Sequence, residues 1–451
     1  MPEVRPTIGD TTWFVHDRFG MFIHWGAYAL PARHEWVRMY EGRTDDEYQR
    51  YVDHFDPDLY DPVAWAAAAR AAGMKYVIIT AKHHDGFCLW DTEQTDFKVT
   101  NTPHGRDLLG PFVEAFRAEG LRVGFYYSLL DWHHPDFSVD HFHPLGGGVV
   151  ARMTQVGGEP EDFSFDKVAT LPETIATLNE GRDISRYAAY MREQVRELLT
   201  NFGTIDIIWY DFSYPSEGPG GIPRKGREQW ESEELLALTR ELQPGIMVNN
   251  RLDLPTDQAD VHTPEQVQPR DWVTVDGEPV VWEACQTFSG SWGYHRDEAS
   301  WKSPEQLVRM LVNTVSTGGN LLMNVGPTAR GRFDDRALAA LGVYGDWLEL
   351  HDRSIYGCTQ SGFTAPADCR YTQRGARLYL HVFAWPFVHL HLDGLAGRVA
   401  YAQLLNDASE IKLIEPGEWP NEDGEGTETL VIKVPVRQPD VVVPVIELFL
   451  R

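Results

Sequence analysis

Between Phe19 and Gly326 short apolar runs alternate with amphipathic helical runs, and most of the apolar runs end in a cluster of polar or aromatic residues. This alternation is the strongest constraint on the fold, because neighbouring parallel strands need a crossover and a helix is the usual one. FGMFIHWG (Phe19–Gly26), KYVIITAKHHDGF, RVGFYYS (Arg122–Ser128), IDIIWYDF (Ile205–Phe212), GIMVNNR, VVWEAC (Val280–Cys285) and NLLMNVG (Asn320–Gly326) read as strands. Pro57–Gly73, Asp107–Gly120, Ile184–Asn201, Glu228–Leu242, Pro304–Thr317 and Asp334–Leu350 read as helices. About seven strands in this rhythm predict an α/β fold, an irregular (β/α)7-8 barrel of the TIM type. A doubly wound open sheet is the competing fold, but no GxGxxG follows the first strand and a dinucleotide site is poorly supported. The stretch from Asp131 to Gly181, with its GGG and scattered acids, interrupts the rhythm and reads as an insertion over the barrel mouth at about 131–182. From Ile355 the texture changes. RLYLHVFAW, HLHLDGL and TLVIKVPV alternate apolar and polar residues between turns, the pattern of a small antiparallel β-sandwich. The expected domains are 1–352, the barrel, and 353–451, the sandwich.

Composition narrows the function classes. A formal net charge of -27 argues against nucleic acid or an anionic membrane as partner, since both need a basic surface. No apolar stretch is long enough to span a bilayer. The N-terminus lacks a charged segment followed by an apolar run, so no secretory signal is read and a cytoplasmic location is expected. Cys88, Cys285, Cys358 and Cys369 show no zinc-finger or CxxC spacing. Free thiols in a reducing compartment are the favoured reading, with a Cys358–Cys369 bridge as the alternative. Fifteen Trp, 18 Tyr and 21 Phe make the chain rich in aromatic residues, which serve a core and also suit the stacking of sugar rings.

In a parallel barrel the C-terminal strand ends carry chemistry and the N-terminal ends carry stability. Asp211 closes IDIIWYDF and is the acid to follow, whereas Asp206 opens that strand and belongs at the other end. The remaining C-terminal ends supply His24 and Trp25, then Lys82-His83-His84-Asp85, Tyr126 and Tyr127, Trp209, and Asn249, Asn250 and Arg251. The loop DQADVHTPEQ carries Glu265, and VVWEAC carries Trp282 and Glu283. Core filling alone does not choose His, Tyr, Trp, Asp, Arg and Glu so repeatedly at one end. Adjacent histidines do not share a face as HxH or HxxxH pairs do, so His83 and His84 fit hydroxyl binding better than a metal. Two carboxyls across such a pocket are what glycoside hydrolysis requires: one attacks or activates water, the other protonates the leaving oxygen.

FGMFIHWG, HEW, AKHHDGF, YYS, WYD, NNR, SWGY and GGNLLMNVGP, in that order, resemble the α-L-fucosidases of glycoside hydrolase family 29 over roughly residues 13–350. The resemblance implies a retaining exo-hydrolase with an irregular barrel, a C-terminal β-sandwich, and no metal or organic cofactor. It implies Asp211 as nucleophile, and His24, Glu35, His83 and His84 as groups holding fucose hydroxyls. Trp36, Tyr126 and Trp209 match pocket walls, Arg251 an arginine near the carboxylates, and Trp292 an apolar patch under the fucose methyl group. Glu265, in a D-x-x-T-x-E pattern, is the expected acid/base, with Glu283 as its rival. The implied partner is a fucosylated glycan or glycoside, with no nucleic acid and no membrane. Linkage, aglycone and oligomeric state stay open, a homo-oligomer included. A related retaining glycosidase acting on another sugar, such as an α-L-galactoside, and a non-catalytic fucose-binding barrel are the alternatives.

Overall fold

Seven parallel strands form one curled sheet in the computed structural model, which describes residues 2–140, 142–146, 172–213, 224–418 and 428–451. In chain order they are β1 (Phe19–Ile23), β2 (Tyr76–Lys82), β3 (Arg122–Ser128), β4 (Ile207–Asp211) and β5 (Met247–Val248), then β8 (Glu283–Thr287) and β9 (Asn320–Val325). β6 (Thr274–Val275) and β7 (Glu278–Pro279) make a separate small hairpin. The order across the sheet is β5-β4-β3-β2-β1-β9-β8.

The helices between the strands have ordinary causes. Pro62–Ala71 is alanine-rich, starts with proline in its first turn and is capped by Asp61, whose carboxylate accepts from the Val63 and Ala64 amides. Pro304–Ser316 begins with a Ser303/Gln306 capping box. The segment expected as one helix from Glu228 to Leu242 is two, Arg227–Trp230 and Ser232–Leu242, broken where Glu231 takes a left-handed φ of 48°.

Period-two alternation along each strand feeds two cores. Met21, Ile79, Phe125, Tyr210 and Met323 face outward, into the layer between sheet and helices. Phe22, Ile78, Tyr126, Trp209 and Leu322 face inward and fill the barrel, with Trp13 and Phe14 packed into the same cluster beside Tyr76. Gly20 keeps the interior open for Tyr76, because a Cβ there would lie 2.3 Å from that ring.

β5 and β8 are the edges of the ladder, and segment 260–265 lies between them. Parallel bridges pair Asn249 with Val261, His262 with Trp282, and Glu265 with Cys285. The Asp260 amide donates to Val248 O at 2.8 Å, and the Glu283 amide donates to His262 O at 2.8 Å. Val261 points into the interior cluster as a strand residue would. The stretch read from sequence as a plain loop is therefore an eighth, irregular stave that closes the barrel. Conversely, GIMVNNR supplies only two ladder residues. Asn249 turns its side chain to the Tyr210 backbone instead, donating to Tyr210 O and accepting from Tyr210 N.

The C-terminal strands are β10 (Thr359–Gln360), β11 (Cys369–Arg374), β12 (Arg377–Val382), β13 (His389–Asp393), β14 (Val399–Leu404), β15 (Lys412–Ile414), β16 (Thr429–Lys433) and β17 (Val445–Leu450). They form an antiparallel five-stranded sheet, β10-β11-β12-β17-β14, and a three-stranded sheet, β13-β16-β15. Leu378 and Leu380 of β12 share a core with Ile446 and Leu448 of β17, Leu392 of β13, and Leu430 and Ile432 of β16. Tyr379 on the opposite face joins the outer core of the barrel. Of the insertion expected at 131–182, residues 141 and 147–171 lie outside the described residues, as does the loop 214–223. All four cysteines are buried free thiols, and Cys358 and Cys369 are not joined. Among the described residues no helix is long and apolar enough to cross a membrane.

Candidate active site

The inward face of β4 carries Ile207, Trp209 and then Asp211, so the same alternation that buries the indole aims the carboxylate into the barrel mouth. Tyr126, on β3 opposite Trp209, donates to Asp211 Oδ2 at 2.7 Å. Arg251 Nη1 reaches Asp211 Oδ1 at 2.8 Å and Glu265 Oε2 also at 2.8 Å. The two nearest carboxylate oxygens are thus no more than twice that distance apart. This bound is compatible with the ~5–5.5 Å separation of retaining enzymes.

Arg251 is held on every side. Its Nε donates to Thr263 Oγ1 at 3.0 Å and its Nη2 to Thr263 O at 3.1 Å. Its guanidinium lies 4.5 Å from the centroid of the Trp209 ring. Burial opposes its charge, but Asp211 and Glu265 outweigh that and raise its pKa. Thr263 is itself fixed, its amide and hydroxyl both donating to Asn250 Oδ1.

Around these charges lies a cavity of about 420 Å³. His24, Glu35, Trp36, His83, His84, Tyr126, Trp209, Asp211, Arg251, Glu265 and Trp292, all singled out from sequence, line it together. His83 and His84 share it because β2 ends at Lys82 and the chain turns, so strand alternation no longer separates them. Glu283 does not line it. Its side chain lies within the barrel under the cavity floor, accepting from Tyr76 OH at 2.5 Å and from Trp209 Nε1 at 3.3 Å. Burial pushes this carboxyl up to about 7, against the pull of those two hydrogen bonds. Asp206, at the far end of β4, pairs with Arg122 and accepts from the Val123 amide.

The histidines are neutral. Burial lowers His24 to about 3, and pulls His83 and His84 well below the usual imidazole range. The His24 tautomer follows from its partner. Asn324 Nδ2 donates to Trp292 O at 2.6 Å, so Asn324 Oδ1 is the acceptor that His24 Nδ1 meets at 2.6 Å. His24 Nε2 is left as an acceptor. Glu35 Oε2 accepts from the Gly293 amide at 2.7 Å, while Glu35 Oε1 is buried without a donor. His34 Nδ1 stands 3.2 Å from Glu35 Oε1, but it already accepts from the Trp36 amide and carries no proton to give. His83 Nδ1 is likewise buried without a hydrogen bond.

Sequence reasoning did not assign several lining residues: Phe22, His34, Tyr40, Phe142, Phe212, Arg224, Gln266, Cys285 and Gly290. Phe212 forms an aromatic wall with Phe142 and Trp36, at 4.9 Å and 5.3 Å between ring centroids. Phe212 holds a φ of 79°, a costly conformation for a bulky residue, immediately after Asp211. The repeat of polar strand ends does not reach these loop residues. Asn324, by contrast, stands in the GGNLLMNVGP run and at a strand end, which is a usable signal. Among the described residues no group of three or more His, Cys, Asp or Glu is arranged to hold a metal ion.

The model of the family described as Alpha-L-fucosidase matches residues 9–353. Human plasma alpha-L-fucosidase is 27% identical over 448 residues, covering 90% of this chain and 82% of its own. Among solved structures, alpha-L-fucosidase isoenzyme 1 from Paenibacillus thiaminolyticus is 43% identical, with a TM-score of 0.83 and 98% coverage of both chains. An alpha-L-fucosidase of GH29 from Bacteroides thetaiotaomicron is 27% identical with a TM-score of 0.81, covering 100% of this chain and 98% of its own. That structure is a covalent intermediate trapped with 2-fluoro-fucosyl fluoride in a glutamate-to-glutamine mutant.

Proposed function

The chain belongs to the alpha-L-fucosidase family, and from that membership we propose a retaining exo-α-L-fucosidase with Asp211 as nucleophile and Glu265 as acid/base. The observation that carries the pairing of these two carboxylates is the single Arg251 nitrogen they share, and their separate roles follow from the family membership. In the first step an Asp211 oxygen attacks the anomeric carbon, the bond to the leaving oxygen breaks, and Glu265 delivers its proton to that oxygen. In the second, Glu265 takes a proton from water, the water oxygen attacks the same carbon, and the ester bond to Asp211 breaks. Esterification removes the Asp211 charge beside Glu265, which favours the ionised glutamate just when a base is needed.

The walls support a sugar in this position. Glu35 Oε1 and His83 Nδ1 are buried polar atoms that need partners, and hydroxyl groups supply them. His24 Nε2 accepts a further hydroxyl. Trp292 packs beside Phe22 and His24, an apolar face suited to a 6-methyl group. Contact of that size discriminates between fucose and galactose by only about 10–200-fold. We assign the catalytic domain to 1–352 and the sandwich to 353–451. We also infer a reducing cytoplasm, which four buried free thiols support.

The test is to incubate the protein with 2-deoxy-2-fluoro-fucosyl fluoride and map the modified peptide, alongside kcat/KM on aryl α-L-fucoside and aryl α-L-galactoside. Label on the peptide holding Asp211, with the fucoside preferred, is the expected result. Label elsewhere removes Asp211 from its role, and preference for the galactoside changes the substrate.

A further inference from the structure

Glu283 is a fully buried carboxyl, 0% exposed, that the reaction above does not use. No cation among the described residues pairs with it. Its two oxygens instead meet two neutral donors, Tyr76 OH and Trp209 Nε1. An indole N–H can only donate, so the direction of the Trp209 bond is fixed. Tyr76 reaches Glu283 because Gly20 leaves its ring room. One edge of the Trp209 indole is therefore tied downward into the barrel, while its face carries Arg251 at 4.5 Å. Arg251 in turn offers one nitrogen to Asp211 and Glu265.

We propose that Glu283 is a positioning residue, setting the tilt of the Trp209 ring and, through that ring, the height at which Arg251 meets the two carboxylates. The proposal rests on the roles assigned above to Asp211, Glu265 and Arg251. Phe22 at 5.3 Å and Tyr126 at 5.8 Å touch the ring without a directional bond. A hydrogen bond to the indole edge is directional; Thr263 holds the guanidinium by its edge, and the indole face sets the plane on which it rests. Reacting groups displaced by about 1 Å lose about 10²-fold in rate. A proton donor must come within hydrogen-bond reach of the glycosidic oxygen, and Glu283 sits beneath the floor of the cavity instead.

The experiment compares Glu283→Leu, Glu283→Gln, Trp209→Phe and the Glu283→Leu/Trp209→Phe double variant. End-point labelling with 2-deoxy-2-fluoro-fucosyl fluoride counts working sites by mass shift, and kcat per labelled site and KM are read on an aryl α-L-fucoside. Glu283→Leu is expected to lower kcat per labelled site by about 10²-fold with KM little changed. Glu283→Gln keeps an oxygen for the indole N–H and is expected to restore most of that loss. The double variant is expected to be no slower than the slower single variant, because both changes break one contact. A Glu283→Leu variant with wild-type kcat per labelled site and only a lower Tm would show a structural role and overturn the proposal. So would a Glu283→Gln variant as slow as Glu283→Leu whose rate azide restores, since that is the signature of an acid/base. If Glu283→Leu does not fold, the proposal stands or falls on Trp209→Phe. In that background Glu283→Gln must add no further loss. Absence of label on the wild-type protein would instead sink the nucleophile assignment, and this proposal with it.

Discussion

Arg251 puts one nitrogen between two carboxylates, and that sharing decides how substitutions at the site should behave. Removing Glu265 takes away the proposed proton donor but leaves Arg251 on Asp211, so attack on an activated substrate should survive. Glu265→Ala is expected to lose about 10²–10⁴-fold in kcat/KM on natural fucosides and much less on aryl fucosides with good leaving groups, with azide restoring rate. Steady-state kinetics on a leaving-group series checks this, and equal loss across the series would contradict it. At this scale the sequence is most informative. Polar residues recurring at strand ends locate His24, His83, His84, Trp209, Asp211 and Arg251 at one end of the barrel, and strand periodicity fixes where Trp209 and Asp211 point. The residues alone do not rank Glu265 against Glu283, because nothing in the pattern says which lies above the cavity floor and which below.

The element that most shapes the site is the one least visible as an element. Segment 260–265 reads as a loop because Asp260, His262, Thr263 and Pro264 break any apolar alternation. Its place in the barrel comes from a few backbone bridges and from Asp260, whose carboxylate accepts from the Ile8, Gly9 and Val248 amides. Such side-chain fastening leaves no periodic trace. The regular strands and helices are legible for the opposite reason, as their alternation is the packing itself. Thr263 makes a test possible. Thr263→Val removes the hydroxyl that accepts from Arg251 Nε but keeps the carbonyl that accepts from Nη2. A hydrogen bond to a charged group contributes roughly 1.5 kcal/mol or more, so kcat should fall about tenfold. The unfolding midpoint in urea should fall by roughly the contribution of that hydrogen bond and no further, because the segment's backbone bridges remain.

Across the whole molecule the barrel and the sandwich share a wall. β12 sends Leu378, Leu380 and Val382 into one core and Tyr379 into the other, while Trp347 Nε1 donates to Val443 O at 3.1 Å across the junction. His381, on the same strand, sits in this wall. Thr372 gives its hydroxyl proton to Ser354 O, so its oxygen accepts from His381 Nε2 at 3.0 Å. His381 Nδ1 is left buried and without a partner. Burial, with the charge of His351 adding to it, lowers His381 to about 3. The unfolded chain binds this proton near pH ~6.5 and the folded chain does not. The stabilisation is therefore present above about 6.5 and lost as pH falls towards about 3. The Tm of the wild-type protein should drop across this window, and His381→Gln should flatten part of the drop. An unchanged slope in the variant would assign the acid sensitivity to other groups.

The closing stave also has a mechanical meaning. β1, β2 and β3 are bonded along ladders of four or more residue pairs, whereas segment 260–265 is stitched to its neighbours at isolated points. Amide protons at Val261, His262 and Glu265 should accordingly trade for deuterium sooner than those at Val77, Ile79 or Phe125, which mass spectrometry of peptic fragments can time. Compliance is thus distributed unevenly around the ring: Asp211, the proposed nucleophile, ends a strand laddered to β3 over five residues, and Glu265, the proposed acid/base, rides the softer stave. A group that must approach an oxygen, release a proton and take another back gains from that softness, and one that must strike a single carbon along one line gains from being held still.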